Sequence, residues 1–445
     1  MQVKYQHILQ QKLQAGHGLI YHYLEKQYGL EYAKKYFQAN EEAIKEIEKN
    51  IIENEINCDF QKENNYIYTT NLKEKEKIQE EMKTVSKIFP EAEEVKKIEL
   101  PFEIVSAIKF PNQAQMNPVK YMKSLAKKVV ENKGKIYCNT TCIKIEKENG
   151  EYICYTDKAR VKSKYVVIAT HYPFINIPGV YFSKMYQASS YVIGAEIEEP
   201  IPKGMYINIQ APIYSVRTAK IEGKNILLLG GVGHKTGEDI NYEQSYKMLE
   251  KKLKEWYPSA QIKYHWSTRD CITLDKIPYI GQFSNLLPNV YVGTGFNKWG
   301  MTSSNVAAKI IVDEIMEKDN KYKEIFTATR VNPIVNIDEV KNMVSQTAKS
   351  LVVDRIKSPI TKLENIKNDS GGIIEKDGKK IGIYKSKEGE IFAVEPICTH
   401  LGCILNWNDA DKTWDCPCHG SRFDYTGKNI YNPALKNLKN YTKFF

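Results

Sequence analysis

Long apolar runs are what this 445-residue sequence has least of. Stretches such as Tyr165 to Ala169 and Ile226 to Leu229 fall far short of the roughly 18 residues a bilayer span needs, so no transmembrane anchor is expected. The opening residues, Met1 to Lys12, lack the charged, apolar and small-residue sections of an export signal, which points to the cytoplasm. A basic tail and an arginine-rich block are also missing. The excess of 64 Lys plus Arg over 54 Asp plus Glu is spread along the chain as a solvated surface would be, and nucleic acid is not an expected partner. Internal repeats and low-complexity tracts are not visible. Hydrophobic residues at 42% and charged residues at 27% exclude wholesale disorder, and the length fits two or three domains. Cysteine numbers nine, too many to ignore in a reducing compartment, where metal ligands and buried thiols are the ordinary uses. Cys58, Cys138, Cys142, Cys154 and Cys271 are scattered, whereas the other four fall between Cys398 and Cys418.

The first hundred residues read as helix-rich, with Tyr32, Tyr36, Ala39, Ala43, Ile47 and Ile51 recurring at helical spacing. From Ile104 onward strands dominate: K-I-Y-C-N-T-T-C-I-K-I-E-K alternates, and K-Y-V-V-I-A-T is a short continuous apolar run. A helix after Gln244, a strand in N-V-Y-V-G-T-G and a helix through Ser304 to Ile315 follow. The chain then divides into a region 1–335, a connector 336–362 marked by Lys357-Ser358-Pro359, and a glycine-punctuated all-β module 363–445. Such a connector would let the small module dock and leave. Cys138 and Cys142 are expected to be buried thiols, and Gly231-Val232-Gly233 a hairpin turn.

C-T-H-L-G-C at Cys398 to Cys403 and C-P-C-H-G-S at Cys416 to Ser421 each offer a thiolate and an imidazole: Cys398 with His400, and Cys416 with His419. Zinc accepts such a set, but zinc fingers usually pair cysteine with cysteine and histidine with histidine, whereas here each loop carries one of each. The arrangement resembles the Rieske 2Fe-2S proteins, in which two cysteines bind one iron and two histidines the other. The resemblance implies that Cys403 and Cys418 form a disulfide tying the cluster loops, with free thiols as the other reading. It also implies a serine hydroxyl at a bridging sulfide, here Ser421, and a tyrosine two residues on, here replaced by Phe423. With one donor kept and one absent, an intermediate potential is expected.

A second constellation joins K-Y-V-V-I-A-T-H-Y-P-F, W-S-T-R-D-C-I-T-L-D-K-I-P-Y-I-G and N-V-Y-V-G-T-G-F-N-K-W-G-M-T, the last leading into a helix whose N-terminus suits a phosphate or a polarised ring. In order and spacing these are similar to the glycine and D-amino acid oxidase (DAO) superfamily of FAD-dependent oxidoreductases. That resemblance implies flavin contacts at Asp275, Pro278, Gly281, Gly295, Phe296, Trp299, Gly300, Met301 and Thr302, and a carboxylate clamp at Arg217, for which a surface salt bridge is the plain alternative. His171 and His234 read as satisfied loop histidines. The family opens with strand, G-x-G-x-x-G and helix, which hold the ADP half of FAD. Nothing like it precedes Gly16, and Gly231-Val232-Gly233 is no substitute, since Thr236 stands at the third glycine position.

The fold implied is thus α+β with α/β character: a DAO-like flavoprotein scaffold with an incomplete N-terminal Rossmann unit, plus a small all-β Rieske domain. The activity implied is oxidation of a small amine- or amino-acid-like substrate through FAD to a 2Fe-2S cluster and on to an electron acceptor. A flavin-free Rieske electron-transfer protein on a shortened or degenerate scaffold is the alternative. A Rieske oxygenase is excluded, because no histidine follows His419 to hold a mononuclear iron and His17 and His22 do not share a helix face.

Overall fold

The computed structural model describes residues 11–221, 223–330 and 360–445. In chain order the larger part runs β1 (Gln11–Leu13), α1 (Tyr21–Tyr28), α2 (Leu30–Glu53), β2 (Gln61–Thr69), α3 (Lys75–Ile88), β3 (Glu93–Val95), β4 (Ser106–Met116), α4 (Pro118–Glu131), β5 (Cys142–Glu148), β6 (Glu151–Thr156), β7 (Arg160–Ser163) and β8 (Val166–Ile168). It continues through β9 (Met185–Glu196), β10 (Met205–Asn208), β11 (Tyr214–Ile221), β12 (Lys224–Lys235), α5 (Tyr242–Trp256), β13 (Gln261–Thr273), β14 (Tyr279–Gln282), β15 (Val290–Thr294), α6 (Gly300–Ile315) and α7 (Lys323–Phe326).

Helix α2 forms where apolar residues recur at three- and four-residue spacing, and it buries that stripe: Ala33, Tyr36, Phe37, Ala43, Ile44 and Ile47. Tyr36 and Phe37 share one core with Val306, Ala307, Ile310 and Ile311 of α6. Two later helices start on asparagine caps: Asn117 accepts from the Val119 and Lys120 amides, and Asn241 from the Gln244 amide. A nine-stranded sheet runs β1-β4-β2-β10-β11-β12-β9-β13, with β3 on β4. A three-stranded sheet, β14-β15-β8, carries a parallel β15–β8 pair, and β5-β6-β7 is a meander.

Two expectations need correction. Gly231 and Gly233 lie inside β12, where the register against β9 shifts between Gly231 and His234 and pairing resumes at His234↔Ser189, so this is a bulge and no hairpin turn. The turn between β11 and β12 falls instead at Gly223, whose φ is +81°. Cys138 is exposed and Cys142 half-buried, because the strand begins only at Cys142. Most of the connector 336–362 lies outside the described residues.

The C-terminal part is all strand apart from short turns: β16 (Ile360–Thr361), β17 (Ser370–Lys376), β18 (Lys379–Lys385), β19 (Ile391–Val394), β20 (Asn406–Asn408), β21 (Thr413–Asp415), β22 (Arg422–Asp424) and β23 (Asn429–Tyr431). Sheets β16-β17-β18-β19 and β20-β21-β22-β23 enclose Val394, Leu405, Trp414 and Phe423, all fully buried. This module is not loosely tethered. Arg269 of β13 pairs with Asp411, which Ser267 Oγ also reaches at 2.7 Å, and Arg422 joins Asp411 at 2.7 Å to Asp415 at 2.8 Å. The charged ends of this network are 0–8% exposed, so the module is seated on β13 through a buried, charge-paired contact.

Candidate metal centre and adjoining cavity

The two cysteine–histidine loops fold as paired hairpin-like turns. Cys398 N–H donates to the Cys403 carbonyl at 2.9 Å and Gly402 N–H to the Cys398 carbonyl at 2.9 Å. In the other loop Cys416 N–H donates to the Ser421 carbonyl at 2.8 Å and Gly420 N–H to the Cys416 carbonyl at 3.0 Å. A Cys403–Cys418 disulfide joins them. Cys398 and Cys416 remain free thiols, buried side by side. Their mutual hydrogen bond holds Cys398 down at about 7, while the same contact and burial push Cys416 up.

His400 and His419 face each other edge to face, with ring centroids 5.1 Å apart. Burial pushes them down to about 4 and about 3, so both imidazoles are neutral, the form that binds metal. Their Nδ1 atoms are buried with no hydrogen-bond partner, as nitrogens reserved for a metal would be. Cys403, Cys416 and Cys418 sulfurs also lie within 4.8 Å of one another, but two of them are spent on the disulfide. The sulfur pair and the nitrogen pair suit the two irons of a 2Fe-2S cluster, and among the described residues no three of these four donors fall within 4.8 Å of one another, as a single tetrahedral ion would need. Ser421 Oγ accepts from the Ala434 amide at 3.0 Å and also faces Cys398, whereas Phe423 is packed in the core.

The other half brings two elements to this centre that sequence reasoning missed. Asn176 Oδ1 lies 2.7 Å from His400 Nε2, and Phe182 stands edge-on to both imidazoles at 6.4 and 5.9 Å. Neither position carries a signal in one sequence, since both sit in the irregular segment between β8 and β9. Strand β9 adds more. Its alternation sends Tyr186, Ala188 and Ser190 into a cavity of about 1140 Å³, while Gln187 between them packs on Gly420 and donates to the Asn432 carbonyl at 2.9 Å.

That cavity spans one face of the large sheet and is lined by Lys12, Arg217, Asp270, Lys298, Trp299 and Met301 among others. Arg217 is buried on β11, which removes the surface salt-bridge alternative; burial lowers it to about 10, and its charge together with burial depresses Lys12. Lys298 Nζ donates to Ser190 Oγ at 2.6 Å and is lowered by burial. Burial raises Asp270, against the pull of Lys298 and His171. His171 contacts Tyr431 of the small module, and His234 bonds Tyr191 Oη at 2.8 Å, so both are satisfied.

The residues matched to flavin contacts separate into two groups. Asp275 is held bidentately by Arg330 at 2.8 and 3.0 Å, and the Pro278 carbonyl accepts from the same guanidinium at 2.9 Å. Gly281 lies against Glu314, and Phe296 packs on the α6 core. Gly295, at φ +70°, comes so close to Thr273 that a Cβ would sit 2.3 Å from its methyl. The second group lies at the start of α6, where Trp299 and Met301 line the cavity. Trp299 stacks on His17 at 4.8 Å, Gly300, Met301 and Thr302 open α6, and Thr302 Oγ1 is 3.4 Å from His17 Nε2. The cavity with Trp299, Met301 and the α6 N-terminus suits a flavin ring. No strand–G-x-G-x-x-G–helix unit occurs among the described residues, so these residues offer the flavin ring a place and the pyrophosphate no cradle.

Comparison with known proteins agrees with both halves. Residues 11–314 match the family FAD dependent oxidoreductase, and residues 357–442 match the Rieske [2Fe-2S] domain. The Rieske 2Fe-2S iron-sulfur protein YhfW of Bacillus subtilis (strain 168) is 35% identical over 428 residues, 96% of this chain and 84% of that protein. The cytochrome b6-f complex iron-sulfur subunit of Chlorobaculum thiosulfatiphilum is 35% identical over 102 residues, 23% of this chain and 55% of its own. Glycine oxidase from Geobacillus kaustophilus superposes with a TM-score of 0.58 at 16% identity, over 67% of this chain and 83% of that one. L-Proline dehydrogenase from P. horikoshii gives 0.57 at 17%, over the same shares, and both likenesses are of fold. A Rieske domain indicates a 2Fe-2S cluster, and the DAO family indicates FAD. The chain therefore belongs to the FAD dependent oxidoreductase family and carries a Rieske [2Fe-2S] domain behind that scaffold.

Proposed function

We propose that this chain oxidises a small amine- or amino-acid-like molecule in the cavity and passes the electrons to a cluster held by Cys398, Cys416, His400 and His419, from which a separate acceptor removes them. The observation that carries this reading is β9, one strand with the cavity on one face and the cluster loops on the other. FAD, when bound, supplies a two-electron acceptor, and the cluster a one-electron carrier.

The chain's own residues have separate tasks in this reading. Arg217 and Lys12 bring positive charge to the cavity wall, where a substrate carboxylate would be received in bidentate fashion. Asp270 and Lys298 put an acceptor and a donor near Trp299, where an amine would be oriented. Cys398 and Cys416 take one iron, His400 and His419 the other through Nδ1, and the Ser421 hydroxyl supports the sulfur side. A cytoplasmic setting belongs to the same reading, supported by the free thiols of Cys58, Cys138, Cys142, Cys154 and Cys271. Among the described residues no helix is long and apolar enough to cross a membrane.

Anaerobic addition of amines and amino acids to the purified chain tests this, with cluster reduction followed by electron paramagnetic resonance (EPR). Reduction by a substrate of this class supports it. A loaded cluster with no bound flavin and no response to any substrate would leave the flavin-free electron-transfer protein.

A further inference from the structure

His400 is held from outside its own domain. Its Nε2 lies 2.7 Å from Asn176 Oδ1, 224 positions earlier in the chain, and Phe182 closes over both imidazoles. The Nδ1 atoms of His400 and His419 are buried and have no partner. An iron bound at His400 Nδ1 leaves the ring proton on Nε2, so Nε2 donates and Asn176 must present its oxygen. No side-chain hydrogen bond to the His419 imidazole occurs among the described residues. The oxidoreductase scaffold thus grips one of the two histidines.

We propose that Asn176 is a positioning residue for the 2Fe-2S cluster, orienting His400 and holding the cluster's reduction potential below the value it would have with that imidazole unpaired. This inference rests on the ligand set proposed above. A carbonyl oxygen accepting the Nε2 proton draws it outward, makes the imidazole a better electron donor through Nδ1 and favours the more positive, oxidised iron. Reduction adds one electron to the cluster and neither makes nor breaks a bond at Asn176, so the effect falls on the potential.

Potentiometric titration of the full chain with dithionite and redox mediators, followed by EPR and iron analysis, reads this out for wild type, Asn176→Ala and Asn176→Asp. Loss of the acceptor is expected to raise the potential by roughly a tenfold shift in the reduction equilibrium, about 59 mV for one electron. The aspartate, a stronger and negatively charged acceptor, is expected to lower it. Opposite signs with unchanged iron content distinguish tuning from simple loosening. Two shifts in the same direction, or an unmoved potential in a loaded alanine variant, would overturn the inference while leaving the ligand set intact. If the alanine variant does not load iron, the aspartate variant decides, and a potential at or above wild type counts against. Wild-type chain that holds no iron under adequate supply would overturn the ligand set and this inference with it.

Discussion

Arg269 and Asp411 form a buried ion pair across the boundary between the oxidoreductase scaffold and the Rieske module, each side chain 4% exposed. Asp411 is shared with Arg422, so one carboxylate answers two guanidinium groups, one from each domain. Removing one partner of such a pair leaves a desolvated charge behind. Arg269→Ala is expected to cost about 3 kcal/mol. Denaturant unfolding followed by both tryptophan fluorescence and cluster absorbance checks this. The variant should lose the cluster signal at lower denaturant than wild type, and coincident curves for the two proteins would contradict it.

Acid should undo the same interface. Burial by itself would raise Asp411, but Arg422 and Arg269 outweigh it and hold the carboxyl well below its ordinary 3.8. A depressed folded value means that this stabilisation is present in full above about pH 4 and is lost as pH falls below it. Small-angle scattering should therefore report a fixed pair of domains at neutral pH and a more extended particle in acid. Asp411→Asn should already be extended at neutral pH.

Gly237 offers a steric test. At φ +79° it lies so close to the cluster loop that a Cβ would sit 2.4 Å from the backbone carbon of Cys416. Gly237→Ala puts that atom into main chain, which cannot yield as a side-chain tip would. Loss of cluster occupancy is expected, together with a stability loss of about 1–3 kcal/mol from overpacking and backbone strain. Iron content and thermal unfolding would show it.

The disulfide closes a short loop, 15 residues in sequence separation. Cys403→Ser is expected to cost the Rieske module about 3 kcal/mol on the loop-entropy account. Cluster loss on incubation at moderate temperature, compared with wild type, measures the effect.

Much of this was legible in the sequence, for physical reasons. The Rieske module is legible because its loops place particular residues at short spacing, the Rieske [2Fe-2S] family covers residues 357–442, and Cys403 and Cys418 pair as the resemblance implied. Helix α2 was visible through its apolar stripe. What failed was context. Gly231 looks like a turn until its neighbours are seen pairing with β9, and Arg217 has the same appearance in sequence whether it faces water or a cavity. Arg330, which clamps Asp275, and Asn176, which meets His400, are ordinary residues made important by partners 55 and 224 positions away. No local pattern encodes such contacts.

Phe423 joins the two kinds of reading. It stands two residues after Ser421 and is fully buried, so a hydroxyl added there would enter the core beside the cluster. Phe423→Tyr is expected to raise the cluster's potential by on the order of 40 mV, the equivalent of one hydrogen bond of about 1 kcal/mol. An unchanged potential in a redox titration would contradict the donor argument.

Electron transfer through this chain requires a two-iron centre gripped by sulfur on one side and nitrogen on the other. Metal and acid-labile sulfide analysis of the purified chain, after expression with ample iron, tests it most directly. Iron and sulfide in equal amounts, falling together in Cys416→Ser and His419→Ala, is the predicted result; zinc in place of iron, with no labile sulfide, would contradict it.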